Sequence, residues 1–255
     1  MSIKYITNKF HQLPEVVTLY KDLFNNNDPR VWSLSPLSLY FRRGYRYFMP
    51  LALNNINVIV DIGANRGLFF FSALSYFKPK FALAVEPIPH LSNSIQEQIK
   101  LFKETQSAVF QGVVSNAPGK INFNIIANQS SSSINKPVLS AEKAYGKSLN
   151  IVDSIMVDTE TLDRLSNKYN FTSIDLIKID VQGAERLVIE GGYDSIRKCK
   201  YLIIEVLFEN HYESQSDFFE LDKLLQKAGL RLGTIYNLER DDRGYLLQCD
   251  ALYVR

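Results

Sequence analysis

The chain has 255 residues, 46% of them hydrophobic and 22% charged, and a formal net charge of +2. That composition is ordinary for a globular protein and is long enough to bury a sizeable core as one α/β domain with an extension. The near-neutral charge gives no general field for nucleic acid or acidic membranes, so neither partner is expected.

The N-terminus, M-S-I-K-Y-I-T-N-K-F, has no apolar h-region, and secretion is unsupported. Residues 1–56 read as a helical extension. Segments 14–24 and 36–48 each begin with a proline, as a first helical turn tolerates, and the loop Asn25-Asn26-Asn27-Asp28-Pro29 lies between them. The run Phe41 to Phe48 interleaves arginines with aromatics. It is read as an amphipathic helix rather than a nucleic-acid grip, because no basic character extends beyond it. No stretch approaches the roughly 18 apolar residues of a membrane span, and a cytoplasmic protein is expected.

From residue 57 strands and helices alternate. Strand 57–62 leads to helix 66–77, strand 81–86 to helix 89–103, and strand 107–114 to an alternating strand at 120–126. A long polar loop, 128–149, opens on Asn128-Gln129-Ser130-Ser131-Ser132-Ser133; it is either a ligand cover or a flexible linker. Strand 151–157 follows, with Thr159 capping a helix to Lys168. Then come strand 174–180, helix 183–190, strand 200–206, helix 215–228, and a closing hairpin of 230–236 and 245–254. The pattern predicts a doubly wound, Rossmann-like, mostly parallel sheet with helices on both faces and a C-terminal antiparallel hairpin at one edge. The domain is expected to span 57–255. Cys199 and Cys249 lie far apart and outside any C-x-x-C or Cys/His cluster. Neither a disulfide scaffold nor a zinc site is expected, and a reducing cytosol fits.

The most informative stretch is V-I-V-D-I-G-A-N-R-G, from Val58 to Gly67. A short β-branched run ends at Asp61, the turn Gly63-Ala64-Asn65-Arg66-Gly67 follows, and an apolar helix begins. Such a turn is expected to bring backbone N–H groups and a helix N-terminus close to a ligand. It is neither G-x-G-x-x-G nor a phosphate loop ending in G-K-[ST]. Asp61 would repel phosphates but suits the ammonium of an amino-acid moiety. The D-x-G-x-x-x-G turn resembles motif I of class I S-adenosylmethionine-dependent methyltransferases; a plain connecting turn is the bland alternative.

In doubly wound sheets ligands bind beyond the C-terminal strand ends. Those ends here carry Asp61, Glu86, Val114-Ser115, Asp180 and Glu205. Glu86, followed by the direction-fixing Pro87, is placed to accept both ribose hydroxyls of a nucleoside cofactor. Asp180 lies in the run Ile177 to Glu185, where it could face a methionine moiety or an acceptor hydroxyl. Glu185 falls in the next helix's first turn, where helix-dipole stabilisation is the competing role. Lys178, inside that strand, needs a nearby carboxylate or must snorkel.

Asp61 to Gly67, Ala84-Val85-Glu86-Pro87, Thr161-Leu162-Asp163, the run Ile177 to Glu185, Glu190-Gly191-Gly192 and Leu202-Ile203-Ile204-Glu205 occur in that order. Together they resemble the FkbM family of S-adenosylmethionine (SAM)-dependent methyltransferases over about residues 57–210. The resemblance implies a class I methyltransferase fold, SAM as cofactor, and methyl transfer to a hydroxyl of a sugar, glycan or secondary metabolite. It places the cofactor on Asp61, Gly63, Ala64, Asn65, Gly67, Glu86, Pro87, Ser115 and Asp180. Gln182 departs from the family's usual Glu, and Ser130 to Ser133 match a serine-rich stretch the family often carries.

Deprotonating a hydroxyl acceptor calls for a base, and the candidates are Asp180, Glu205 and His211. His211 has a suitable ordinary pKa of about 6.5, against which stands the commoner surface histidine; His90 and His11 have weaker claims. Asp180 and Glu205 could also hold a divalent ion, with Asn210 as a third oxygen donor. That set is incomplete, and metal dependence is not favoured. Two other readings share the fold. One is a non-catalytic nucleoside-binding module, which would need no acid at Asp180. The other is an NAD-dependent oxidoreductase, for which the glycine fingerprint and any Tyr-x-x-x-Lys pair are missing.

Overall fold

A computed structural model describes residues 53–138 and 149–255. The expected N-terminal helices, His11 and the basic-aromatic run lie outside the described residues.

Among the described residues seven strands form the main sheet: β1 (Val58–Ile62), β2 (Phe81–Val85), β3 (Gln106–Phe110), β7 (Leu176–Ile179), β8 (Tyr201–Leu207), β9 (Arg231–Arg240) and β10 (Leu246–Val254). Their order is β3-β2-β1-β7-β8-β10-β9. Pairing is parallel from β3 to β8, whereas β10 runs antiparallel to both β8 and β9. The predicted doubly wound α/β fold is therefore present, with one refinement. The closing hairpin forms, but its second strand inserts between β8 and β9, so the reversed strand lies one place in from the edge.

Period-two alternation gives each strand two faces. On one side Val60 and Ile62 of β1, Ile177 and Ile179 of β7, and Leu202 and Ile204 of β8 form the core. They pack under α3 (Leu162–Lys168), α4 (Glu185–Gly191), the single turn α5 (Tyr193–Ile196) and α6 (Phe218–Lys227). On the other side Ile59, Leu176 and Ile203 pack with α1 (Leu68–Phe77), α2 (Pro89–Gln98) and the buried Leu53 and Ile56. Helix α1 is apolar almost all round, and Phe69 to Leu74 are all buried.

Several predicted elements came out differently, among them these three. The run 107–114 breaks into β3 and β4 (Val113–Val114), and β4 joins β6 (Ile151–Glu160) and β5 (Gly119–Ile126) in a separate three-stranded sheet. Thr159 lies within β6, and the cap of α3 is Thr161, whose side chain accepts from the Arg164 N–H. Helix α1 begins at Leu68, because Gly67 at φ 79° is its N-cap residue. Both cysteines are buried and free. Among the described residues no helix is long and apolar enough to cross a membrane.

Candidate functional site

A cavity of about 410 Å³ opens beyond the C-terminal ends of β1, β2 and β7. The small sheet and the segment after β5 wall it, through Val113, Phe123, Asn128, Gln129 and Ser130. A volume of that order suits a small molecule with a few oriented polar contacts.

Asp61 lies at its base. In register it stands between Ala84 of β2 and Lys178 of β7, on the side of the sheet that carries Ile59 and Leu176. Its side chain is fully buried, and among the described residues neither carboxylate oxygen meets a donor at full hydrogen-bonding geometry. Burial raises its pKa to about 7; the Lys178 ammonium opposes, Asp180 adds, and the nearby Phe70 N–H opposes more weakly. A buried, unpartnered carboxylate is costly unless a ligand satisfies it.

The turn after Asp61 is built differently from the expectation. Its N–H groups serve the protein: Gly63 and Ala64 donate to the Val85 carbonyl, Asn65 to Glu86 Oε2, and Gly67 to the Ala64 carbonyl. At Gly63 (φ 87°) a Cβ would stand 1.8 Å from the Asp180 carbonyl oxygen, so its missing side chain makes room for β7's end and not for a ligand. Gly63, Ala64 and Asn65 line the cavity, and Gly67 does not.

Glu86 is buried with one oxygen on the Asn65 N–H and the other on the Ile88 N–H, each at 2.8 Å. Burial raises its pKa to about 7 against those two bonds. Each oxygen keeps a second lone pair, and Glu86 and Pro87 both line the cavity. Ser115 is buried outside that lining, its N–H donating to the Glu160 carbonyl.

On the other flank the polar groups form one chain. Lys178 Nζ donates to Asp180 Oδ2 at 2.7 Å, meeting the need of a buried ammonium for a carboxylate. Burial opposes ionisation of Asp180, but the Lys178 charge and the bonds from Lys178 and Gln182 outweigh it, and its pKa is lowered. Gln182, at φ 56°, donates through Nε2 to both Asp180 Oδ1 and Glu205 Oε2. The other Glu205 oxygen accepts from Gln248. Burial, then Asp180 and Asp250, push the Glu205 pKa well up. Tyr212, buried, sets its hydroxyl 3.0 Å from Gln182 Oε1 and 2.8 Å from the Ser131 carbonyl.

The serine-rich segment is part of the wall and not a linker. Ser133 Oγ donates to the Gln182 carbonyl at 2.7 Å, and Asn135 Nδ2 donates to the Gly183 carbonyl at 2.8 Å. Ser132 Oγ accepts from the Ile126 N–H. Glu185 accepts from the N–H groups of Val181 and Gly183, fastening the turn after β7.

The structure thus gathers Asp61, Gly63, Ala64, Asn65, Glu86, Pro87 and Asp180 around one cavity. Glu205 joins through Gln182 instead of lining it. His211 is 1% exposed, outside the lining, and burial lowers its pKa to about 4. The surface reading of that histidine therefore fails, and its ring is neutral at physiological pH. Among the described residues no three His, Cys, Asp or Glu side chains are grouped to hold a metal ion. Where an ion was considered, Asp180 and Glu205 hold Lys178 and two glutamine amides. No sequence signal marks Tyr212 or Gln248, whose roles come from distant strands and loops.

A doubly wound sheet ordered 3-2-1-7-8-10-9 with one inserted antiparallel strand, its cavity at the parallel strand ends, defines a Rossmann-like class I methyltransferase fold. Residues 61–232 match the model of the methyltransferase FkbM domain, and the chain belongs to that family. It is 30% identical over 166 residues to the 2-O-methyltransferase NoeI of Sinorhizobium fredii (strain NBRC 101917 / NGR234), covering 62% of this chain and 66% of that relative, a little under two thirds of its length. Solved structures give distant likenesses. M. jannaschii TYW2 in complex with AdoMet shares 16% identity at TM-score 0.42, over 88% of this chain and 78% of that one. M. capricolum TrmK with S-adenosylhomocysteine shares 13% at 0.45, over 87% and 68%.

Proposed function

We propose that the protein is a SAM-dependent methyltransferase acting on a hydroxyl of a sugar, glycan or secondary metabolite. The observation that carries the cofactor assignment is Asp61, a buried carboxylate at the base of the cavity whose two oxygens meet no donor at full hydrogen-bonding geometry among the described residues. The ammonium of a methionine moiety satisfies it. Glu86, preorganised by two backbone N–H groups, keeps lone pairs for ribose hydroxyls. Ile88, Val113 and Phe123 supply apolar walls for a base. The residues present fit the cofactor, which when bound supplies an electrophilic methyl group.

Asp180 orients the acceptor. It lines the cavity, and its lowered pKa keeps it ionised as a hydrogen-bond acceptor for the attacking hydroxyl. Lys178 and Gln182 fix its two oxygens, so its direction is set before substrate arrives. Glu205, with its raised pKa, holds a proton in the same network. His211, buried outside the cavity lining, has no part in this step. The hydroxyl acceptor is supported by the name of the relative NoeI, a 2-O-methyltransferase.

Calorimetry with S-adenosylhomocysteine and NAD, each repeated on Asp61→Asn, tests the cofactor. Micromolar S-adenosylhomocysteine binding that the variant weakens about 10- to 100-fold is expected, and NAD binding in its place would overturn the assignment. Transfer of a radiolabelled methyl group from SAM to oligosaccharides, with tRNA in parallel, then tests the acceptor class. Label in the RNA alone would refute it.

A further inference from the structure

Strand β9 closes the sheet, and its outer edge has no neighbour among the described strands. It is 10 residues long, and every residue but Tyr236 is exposed. Long exposed edges are normally shortened, charged or covered, because unpaired N–H and C=O groups invite another strand. Beside its bulges and the charges of Arg231, Glu239 and Arg240, this edge carries three aliphatic side chains, Leu232, Ile235 and Leu238, exposed at 39%, 43% and 43%.

They fall on one face. Leu232 stands opposite Tyr253 and Ile235 opposite Ala251, both of which point into the core beneath α6. Register shifts at Gly233 and around Asn237, the latter at φ 50°, insert an extra residue on each side of Ile235. Each bulge moves the next leucine onto the face of Ile235.

The sequence Arg231-Leu232-Gly233-Thr234-Ile235-Tyr236-Asn237-Leu238-Glu239 is self-complementary about its centre. In an antiparallel pair with its own copy, Ile235 meets Ile235, Leu232 meets Leu238, and the bulge at Gly233 meets that at Asn237. Arg231 meets Glu239 at both ends. Among the described residues neither of these charges has an ion-pair partner. Shifting the register by two residues either way separates both the leucine pairs and the charge pairs.

We propose that β9 is the interface of a two-fold homodimer, in which two copies join edge to edge about Ile235 into one continuous sheet. The interface is isologous, as a two-fold requires. Strands β8 and β10 separate it from β7 and the cavity, so it does not depend on the function proposed above.

Sedimentation equilibrium of the full chain across a micromolar dilution series tests this, with circular dichroism confirming that each variant is folded. The parent protein is expected to dimerise, and Ile235→Lys, which sets two ammonium groups face to face, to be monomeric. Arg231→Glu and Glu239→Arg should each weaken the dimer at least about tenfold, since each replaces two attractive cross-strand pairs by repulsive ones. The double variant R231E/E239R should return to near the parent affinity. A parent that stays monomeric, a dimer indifferent to the single reversals, or a double variant no better than the singles would each overturn the proposal.

Discussion

The carbonyl oxygen of Asp180 occupies the space that a side chain on Gly63 would need: a Cβ built there lies 1.8 Å from it. The turn after β1 and the end of β7 are thereby locked together, and Asp61 and Asp180 come to face one cavity. Gly63→Ala must force the two strand ends apart while straining a φ of 87°. We expect a loss of about 3 kcal/mol of stability, read by urea unfolding, together with loss of S-adenosylhomocysteine binding.

Asp61→Asn separates stability from binding. The folded Asp61 titrates near 7 against an ordinary 3.8, so the native state holds its proton more tightly than the unfolded chain. Below pH 3.8 both states are protonated and the group contributes nothing. Between there and about 7 the unfolded chain binds fewer protons, and stability falls as pH rises; above 7 the penalty is complete. The amide carries no such penalty. The advantage of Asp61→Asn in urea midpoint should therefore grow across that window and level at about 2–4 kcal/mol. Its affinity for S-adenosylhomocysteine should fall about 10- to 100-fold, the worth of a charge-assisted hydrogen bond.

Gln182→Glu puts a third carboxylate against Asp180 and Glu205 where an amide now donates to both. At alkaline pH the variant should be destabilised by about 2 kcal/mol relative to the parent. Acidification should narrow the gap, because one protonated carboxyl restores a donor. Urea midpoints at two pH values check this; equal gaps at both would show that the amide bridge from Gln182 to the two acids does not matter to stability.

Asp163 accepts from the N–H groups of Asp194 and Ser195 and from Ser195 Oγ, at 3.2, 2.7 and 2.6 Å. The Thr-Leu-Asp segment, though part of the family pattern, thus caps the start of α5 and does not face the cavity. Asp163→Ala should cost about 1–2 kcal/mol in unfolding experiments and leave S-adenosylhomocysteine affinity unchanged.

Much of the candidate site was legible in the sequence because it depends on local chemistry. An acid closing a β-branched run, followed by a glycine turn and an apolar helix, can be read from a short stretch of chain, and Asp61 was found that way; Glu86 was found as the acid that closes the next apolar strand, ahead of Pro87. The purpose of Gly63 was not, since the atom that needs its space belongs to Asp180, far along the chain. Ser115 matched a strand end by position, but its backbone serves β6 and its side chain lies outside the cavity. His211 looked like a surface residue because nothing near it in sequence reports the loop 131–138 that covers it; the His211 carbonyl accepts from the Val138 N–H.

By itself, then, the sequence determined the alternation of strands and helices, the acids at the strand ends and the family pattern they compose. These follow from side-chain periodicity and turn chemistry acting over a few residues. Only the tertiary structure decided that β10 inserts between β8 and β9, that β4, β5 and β6 leave the main sheet, and that Gln182 joins Asp180 to Glu205. Those outcomes depend on which strands become neighbours and in what register. Because side chains alternate with period two, register alone decides which of them share a face, and no local signal in the chain records it.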